Sequence, residues 1–298
     1  MQATHHVLLD TDIGSDVDDA LALALILGCP EIELEGVTTV YGDTGLRARI
    51  ARRYLELAGR QDVDVVPGLE SPLSGREVWW PGHEGLRHEA LDRQVVRRDR
   101  SAPEYIASAV ESGGSRLQIV AIGPLTNLAA AHDLSPSLAR DIGSIWMMGG
   151  AFGHEEPEHN IVSDVTAAQA VLGSTAEIRV LPLDVTERVQ LTSEQVDRIA
   201  TSGPVGAQLG EDIRQWWEVR GTSWNVPHDP LTVLAVVHPD MFRFSGPGRV
   251  QVEASGRTTF TPDPLGTTRV AIDLDIARVV ELMLAGIARA SQPVVPGS

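Results

Sequence analysis

The chain has 298 residues, with 24 Lys and Arg against 41 Asp and Glu, a formal charge of −17. That balance opposes binding to nucleic acid or to an anionic membrane surface, both of which attract cationic proteins, and it suits a small neutral substrate. A chain of this length can bury one large α/β core, and no composition shift marks a boundary. One domain over 1–290 is expected, followed by a tail at 291–298 whose two prolines and small residues leave it without order.

The first six residues lack the basic region and long apolar core of a secretion signal, and no apolar run approaches the length of a membrane span. A soluble, cytoplasmic protein is the expectation. Cys29, the only cysteine, cannot form an internal disulfide and reads as a small buried side chain.

Along the chain, apolar runs rich in Val, Ile and Leu alternate with segments of helical period. Strands are predicted at 7–10, 34–41, 63–66, 117–122, 145–148 and 178–183, with helices at 18–27, 46–57, 103–111, 125–132 and 165–172. This is the pattern of parallel strands joined by crossover helices, and near-continuous apolar strands imply a sheet covered on both faces. The expected fold class is α/β, a mostly parallel central sheet flanked by helices. The last third adds helices at 193–200, 205–220 and 230–237, a small β-pair formed by 249–254 with 269–274, and a closing amphipathic helix at 276–287.

Between the first strand and the first helix lies Asp10-Thr11-Asp12-Ile13-Gly14-Ser15-Asp16-Val17-Asp18-Asp19. Five carboxylates in ten residues repel one another unless a cation sits among them. Capping of the helix by Asp18 and Asp19, where negative charge meets the positive dipole end, accounts for only two of the five. With carboxylate oxygens and no nearby cysteine, the expected ion is hard, Ca²⁺ or Mg²⁺ rather than Zn²⁺. The location agrees, since open α/β sheets bind ligands outside the carboxyl ends of their strands.

This decapeptide resembles the Asp-x-Asp-Pro-Gly-x-Asp-Asp signature of the nucleoside hydrolases, the inosine–uridine-preferring nucleoside N-ribohydrolase family. Two extra residues separate Gly14 from the Asp pair, and Ile13 stands for the proline. Asp10 and Asp12 match the first two acids, Asp18 and Asp19 the last two, and Asp16 has no counterpart. Further pieces follow in the family's order. Gly123-Pro124-Leu125-Thr126-Asn127 resembles its strand-to-helix turn, where the Ile122 carbonyl would be a metal ligand. Met148-Gly149-Gly150 resembles a strand end lying against the ligand, and Glu158-His159-Asn160 an element whose Glu and Asn hold ribose, here with His159 in place of an aromatic residue and no Asn in 153–157. His228-Asp229-Pro230 resembles the element that closes the metal shell with Asp229 and turns His228 toward the leaving base. Asp43 stands where Asn is common in the family and where a purine-preferring subgroup also has Asp, and Trp79-Trp80-Pro81-Gly82-His83 is similar to a loop near the substrate. Trp216, Trp217 and Trp224 fall in the region that covers the base in relatives, and helix-core packing is expected for at least one of Trp216 and Trp217, because adjacent helical residues face different directions.

The resemblance implies a Rossmann-like nucleoside hydrolase fold and Ca²⁺-dependent hydrolysis of the N-glycosidic bond of ribonucleosides. The implied metal ligands are Asp12, Asp19, Asp229, the Ile122 carbonyl and Asp10, with Asp12 and His228 catalytic. Asp18, Asp43, Glu158, Asn160, Trp79, Trp80, His83, Met148, Trp217 and Trp224 would contact the nucleoside. A homodimer or homotetramer is the expected assembly. The tryptophans, which stack on flat rings, and Asp43 tilt the expectation toward purine nucleosides. Two rivals differ in kind. A phosphatase using Asp10 as nucleophile lacks a nearby Lys to clamp phosphate, and a nucleoside- or ribose-binding protein with a structural Ca²⁺ would release no product.

Overall fold

The computed structural model describes residues 5–291. In chain order its elements are β1 (His5–Thr11), α1 (Asp18–Leu27), β2 (Ile32–Thr39), α2 (Thr44–Leu57), β3 (Val65–Pro67), α3 (Ala102–Gly113), β4 (Leu117–Ala121), α4 (Thr126–Leu134), α5 (Leu138–Asp141), β5 (Ser144–Met148) and α6 (His159–Ser163). Then come α7 (Val165–Leu172), β6 (Ile178–Leu181), α8 (Leu183–Thr186), α9 (Ser193–Ala200), α10 (Pro204–Arg220), α11 (His228–Val237), β7 (Phe242–Phe244), β8 (Gly248–Val252), β9 (Thr258–Pro262), β10 (Thr268–Leu274) and α12 (Ile276–Arg289).

Strand alternation sorts side chains into two layers, because successive residues of a strand point to opposite faces. Val7 and Leu9 of β1 pack with Leu21, Tyr54, Leu234 and Met283 from α1, α2, α11 and α12. Leu8 between them packs with Ile106, Leu128 and Val171 from α3, α4 and α7. Each fully buried Leu contributes roughly 1.5–3 kcal/mol, so a one-residue slip of β1 would reverse the layers and strand the Asp10 carboxylate. Helix α1 is buried nearly all round, and its Ala/Leu sequence supplies both helix propensity and packing volume. Its C-terminal end meets α12 backbone to backbone at Gly28, where a Cβ would overlap the Gly286 carbonyl.

The strands run β3-β2-β1-β4-β5-β6-β10-β8-β9, with β7 on β10. From β3 to β10 the path is parallel, and β7, β8 and β9 are antiparallel additions. The fold is therefore a single-domain α/β sheet with helices on both faces. The expected β-pair is corrected: 249–254 pairs with β9, which the sequence reading lacks, and β10 joins the main sheet through β6, touching β8 only at Thr268–Gly248. Two strands also end two residues earlier than expected. β2 stops at Thr39, and Tyr41 adopts a left-handed conformation (φ 69°); β6 stops before Pro182, which opens α8. Of the expected tail, 292–298 lies outside the described residues, while Ser291 is tied down, its Oγ accepting from the Val205 amide at 3.0 Å. Among the described residues no helix is long and apolar enough to cross a membrane.

Candidate active site

Strand order reverses beside β1, which lies between β2 and β4, and ligands of doubly wound sheets bind at such a switch point. A cavity of about 790 Å³ opens at the carboxyl ends of these strands, lined by Asp12, Asp16, Asp18, Asp19, Ile122, Met148, Glu158, Asn160, His228 and Asp229 among others. Residues from the turns after β1, β4 and β5 thus meet the first turn of α11.

At its floor, carboxylate oxygens of Asp18, Asp19 and Asp229 lie within 4.8 Å of one another, all three residues buried. Burial, reinforced by repulsion from neighbouring carboxylates of the acidic loop, holds all three well above the usual carboxylate range. Asp19 is fixed by the Thr11 hydroxyl, which donates to it, and by the Asp12 amide at 3.2 Å. Asp16 is pushed up to about 6, chiefly by burial. Asp12 lines the same cavity but stays outside the group of three: its Oδ2 lies 3.9 Å from Arg47 Nη2. Gly123 makes room for it, since a Cβ there would come within 2.9 Å of Asp12 Oδ1. Asp18, expected on ribose, stands in the candidate metal group itself.

One wall is built by a helix start. Glu158 caps α6, its carboxylate accepting from the amides of Asn160 at 2.7 Å, Gly150 at 3.0 Å and Ile161 at 3.1 Å. Burial nevertheless raises its pKa. The Asn160 side-chain amide donates to the carbonyls of Ile122 at 3.0 Å and Met148 at 3.3 Å. Ile122, Met148, Glu158 and Asn160 are therefore brought together as the motifs imply. Across the cavity, the His228 ring is fixed by a 2.7 Å hydrogen bond between Nδ1 and Thr186 Oγ1. Burial lowers its pKa to about 4, so at neutral pH it is a neutral imidazole rather than a cationic acid.

Several expected contacts do not reach this cavity. Asp10 is completely buried beneath it, with Oδ1 taken by Thr38 Oγ1 at 2.6 Å and Asn127 Nδ2 at 2.8 Å, so it braces β1 against β2 and α4. Burial pushes its pKa up to about 7. Asp43 is the N-cap of α2, accepting from the Leu46 amide at 2.7 Å. Trp80 lies over the Arg47 guanidinium, 4.9 Å from ring centroid to Cζ. His83 bonds the Ser15 carbonyl at 2.8 Å. Trp217 turns to Asn225, donating Nε1 to Oδ1 at 3.2 Å, and packs on the core. Its neighbour Trp216, itself buried in the core, also lines the cavity, with Trp79 and Trp224.

Sequence reasoning missed Arg220, Gln190, Glu187 and Thr222, which also line the cavity. Nothing short of tertiary structure marks them: they sit in or beside amphipathic helices, where polar residues read as solvent-facing. Arg47 was missed for the same reason. The unmatched Asp16, by contrast, was visible as the extra acid of the longer loop.

Residues 7–281 match the family model described as inosine-uridine preferring nucleoside hydrolase. Uridine nucleosidase 1 of Arabidopsis thaliana is 33% identical over 267 residues, 84% of this chain and 79% of that protein. Among solved structures, a plant nucleoside hydrolase, PpNRh1, superimposes with a TM-score of 0.85 at 29% identity, covering 97% of this chain and 99% of that one. The purine-preferring ribonucleoside hydrolase from Gardnerella vaginalis does so with 0.81 at 26%, covering 96% and 99%.

Proposed function

The chain belongs to the inosine-uridine preferring nucleoside hydrolase family and is an N-glycosyl hydrolase, and from that premise we propose Ca²⁺-dependent hydrolysis of ribonucleosides to ribose and free base. The observation that carries the metal is the buried convergence of Asp18, Asp19 and Asp229. The donor set fits a hard cation: every side-chain donor is a carboxylate oxygen, and none of the three accepts a hydrogen bond from Lys or Arg among the described residues. Asp18, Asp19 and Asp229 would hold it, joined by Asp12 and the Ile122 carbonyl from the same cavity. When bound, such an ion supplies Lewis acidity toward water and the ribose hydroxyls.

The protein's own groups supply the rest. Asp12 takes the proton of the attacking water as general base. Glu158 and Asn160 hold the ribose hydroxyls, and a sugar held rigidly reaches its oxocarbenium-like transition state at lower entropic cost. His228 and the ring faces of Trp79, Trp216 and Trp224 flank the departing base.

For the base, purine preference is the first reading, supported by these three tryptophans because a bicyclic ring offers more stacking area. Asp43, as the cap of α2, no longer supports it. The second reading is uridine, favoured by the name of the Arabidopsis relative. A cytoplasmic homodimer or homotetramer completes the proposal, its mass measurable by light scattering.

Incubation with inosine and uridine, with and without chelator, tests the reaction by release of reducing sugar. Ribose released only with Ca²⁺ present is expected. Phosphate release from phosphate esters would indicate the phosphatase, and nucleoside binding without product a binding protein.

A further inference from the structure

Arg47 lies in α2 and is completely buried. Its guanidinium is spent chiefly on the acidic loop. Nε donates to the Tyr41 carbonyl at 2.6 Å, Nη1 to the carbonyls of Asp12 and, at 3.0 Å, Ile13, and Nη2 to Ser15 Oγ at 3.1 Å. The same Nη2 is 3.9 Å from Asp12 Oδ2, outside hydrogen-bond range but, among the described residues, the nearest cationic nitrogen to that carboxylate. Ser15 passes the chain of bonds outward, donating to Glu84 Oε1 at 2.8 Å, and Trp80 closes the open face of the guanidinium.

A buried arginine is costly to desolvate, and packing alone at this position would be met by an apolar residue. The acidic loop, however, lacks the regular hydrogen bonding of a strand or helix between Asp12 and Val17, and its carbonyls need donors that a planar, forked cation can supply together. We propose that Arg47 is a positioning residue for the hydrolysis, clamping the carbonyls of Asp12 and Ile13 and Ser15 Oγ so that the Asp12 carboxylate is presented to the cavity. The inference rests on the proposed function and assigns Arg47 no contact with substrate.

The test compares wild type with Arg47→Met, Arg47→Lys and Ser15→Ala, by steady-state kinetics and by calorimetric titration with Ca²⁺. Arg47→Met should lower kcat by about 10- to 100-fold, the usual cost of losing charge-assisted hydrogen bonds, while KM for the nucleoside stays within about threefold. Ca²⁺ affinity should weaken in the same variant. Arg47→Lys should recover part of kcat, because it restores charge without the fork, and Ser15→Ala should show a smaller loss of the same kind. A folded Arg47→Met with wild-type kcat and Ca²⁺ affinity overturns the proposal. Should that variant fail to fold, wild-type kcat in both Arg47→Lys and Ser15→Ala overturns it as well. A wild type that binds Ca²⁺ but hydrolyses no ribonucleoside removes the reading beneath the proposal, and the proposal with it.

Discussion

The side-chain amide of Asn160 donates to the carbonyl of Ile122 at 3.0 Å, joining the proposed ribose wall to the proposed metal shell through one hydrogen bond. Asn160→Ala should therefore raise KM for the nucleoside and also weaken Ca²⁺ binding. A loss in kcat/KM of about 10²-fold is expected, equivalent to roughly 2.7 kcal/mol. Kinetics together with Ca²⁺ titration checks it: an unchanged Ca²⁺ affinity would show that the carbonyl needs no such support.

Asp12→Asn keeps the shape of the side chain and removes its proton-accepting charge. Turnover should fall by about 10² to 10⁴, the usual worth of general-base assistance, while the nucleoside still binds. Hydrolysis of inosine or uridine within about threefold of wild type, under 1 kcal/mol, would contradict the role given to Asp12.

Without a cation the acidic floor should make stability pH-dependent in an unusual direction. The pKa values of Asp18, Asp19 and Asp229 are raised on folding, and those of Asp16 and Asp10 reach about 6 and about 7. Above the unfolded carboxylate pKa the folded state thus holds more protons than the unfolded state, so stability falls as pH rises through the folded values. Chelated protein should lose at least about 1.4 kcal/mol between pH 5 and 8, the worth of one pKa unit. Ca²⁺ should restore more of it at pH 8 than at pH 5, because the ion competes with protons. Thermal melts across this range, with and without Ca²⁺, provide the check, and a constant offset between the two series would refute it.

Trp79 and Trp224 are each a little under half exposed at the cavity, whereas Trp216 is buried at 8%. Replacing whichever tryptophan covers the base with Ala should cost more with inosine than with uridine, by about 1–3 kcal/mol. Equal losses on both, or a wild type that cleaves uridine and ignores inosine, would favour the pyrimidine reading.

Asp164 offers a stability test away from the chemistry. Fully buried, it caps α7 at the Ala167 amide (3.1 Å) and accepts from Leu73 N at 2.7 Å, Ser74 N at 3.1 Å and Thr126 Oγ1 at 2.7 Å. Asp164→Ala strands these donors and should cost about 3 kcal/mol. Urea denaturation measures it, and a cost under about 1 kcal/mol would mean that water replaces the carboxylate.

Local signals made much of this legible. Helix α1 agrees with expectation at both ends because acids precede a run of Ala and Leu, and the acidic loop stands out because so many like charges demand a partner. The pairing of β8 with β9 was hidden: Thr258–Pro262 ends in proline and is largely exposed, so it lacks the apolar signature of a strand. Roles within the acidic loop were hidden too. Spacing alone does not reveal that Asp10 turns down toward Asn127 while Asp18 turns to Asp229, since those partners lie more than a hundred residues away.

The convergence of Asp18 and Asp19 with Asp229 also bears on how the protein is made. During synthesis the acidic loop emerges early and Asp229 late, after the residues of both neighbours of β1, β2 and β4. A nascent chain released before α11 would carry the repulsion of the loop without the carboxylate that completes the proposed cation site. The site is complete only once α11 has docked against α1, and an ion present at that moment would favour this docking over the competing collapse that traps large chains.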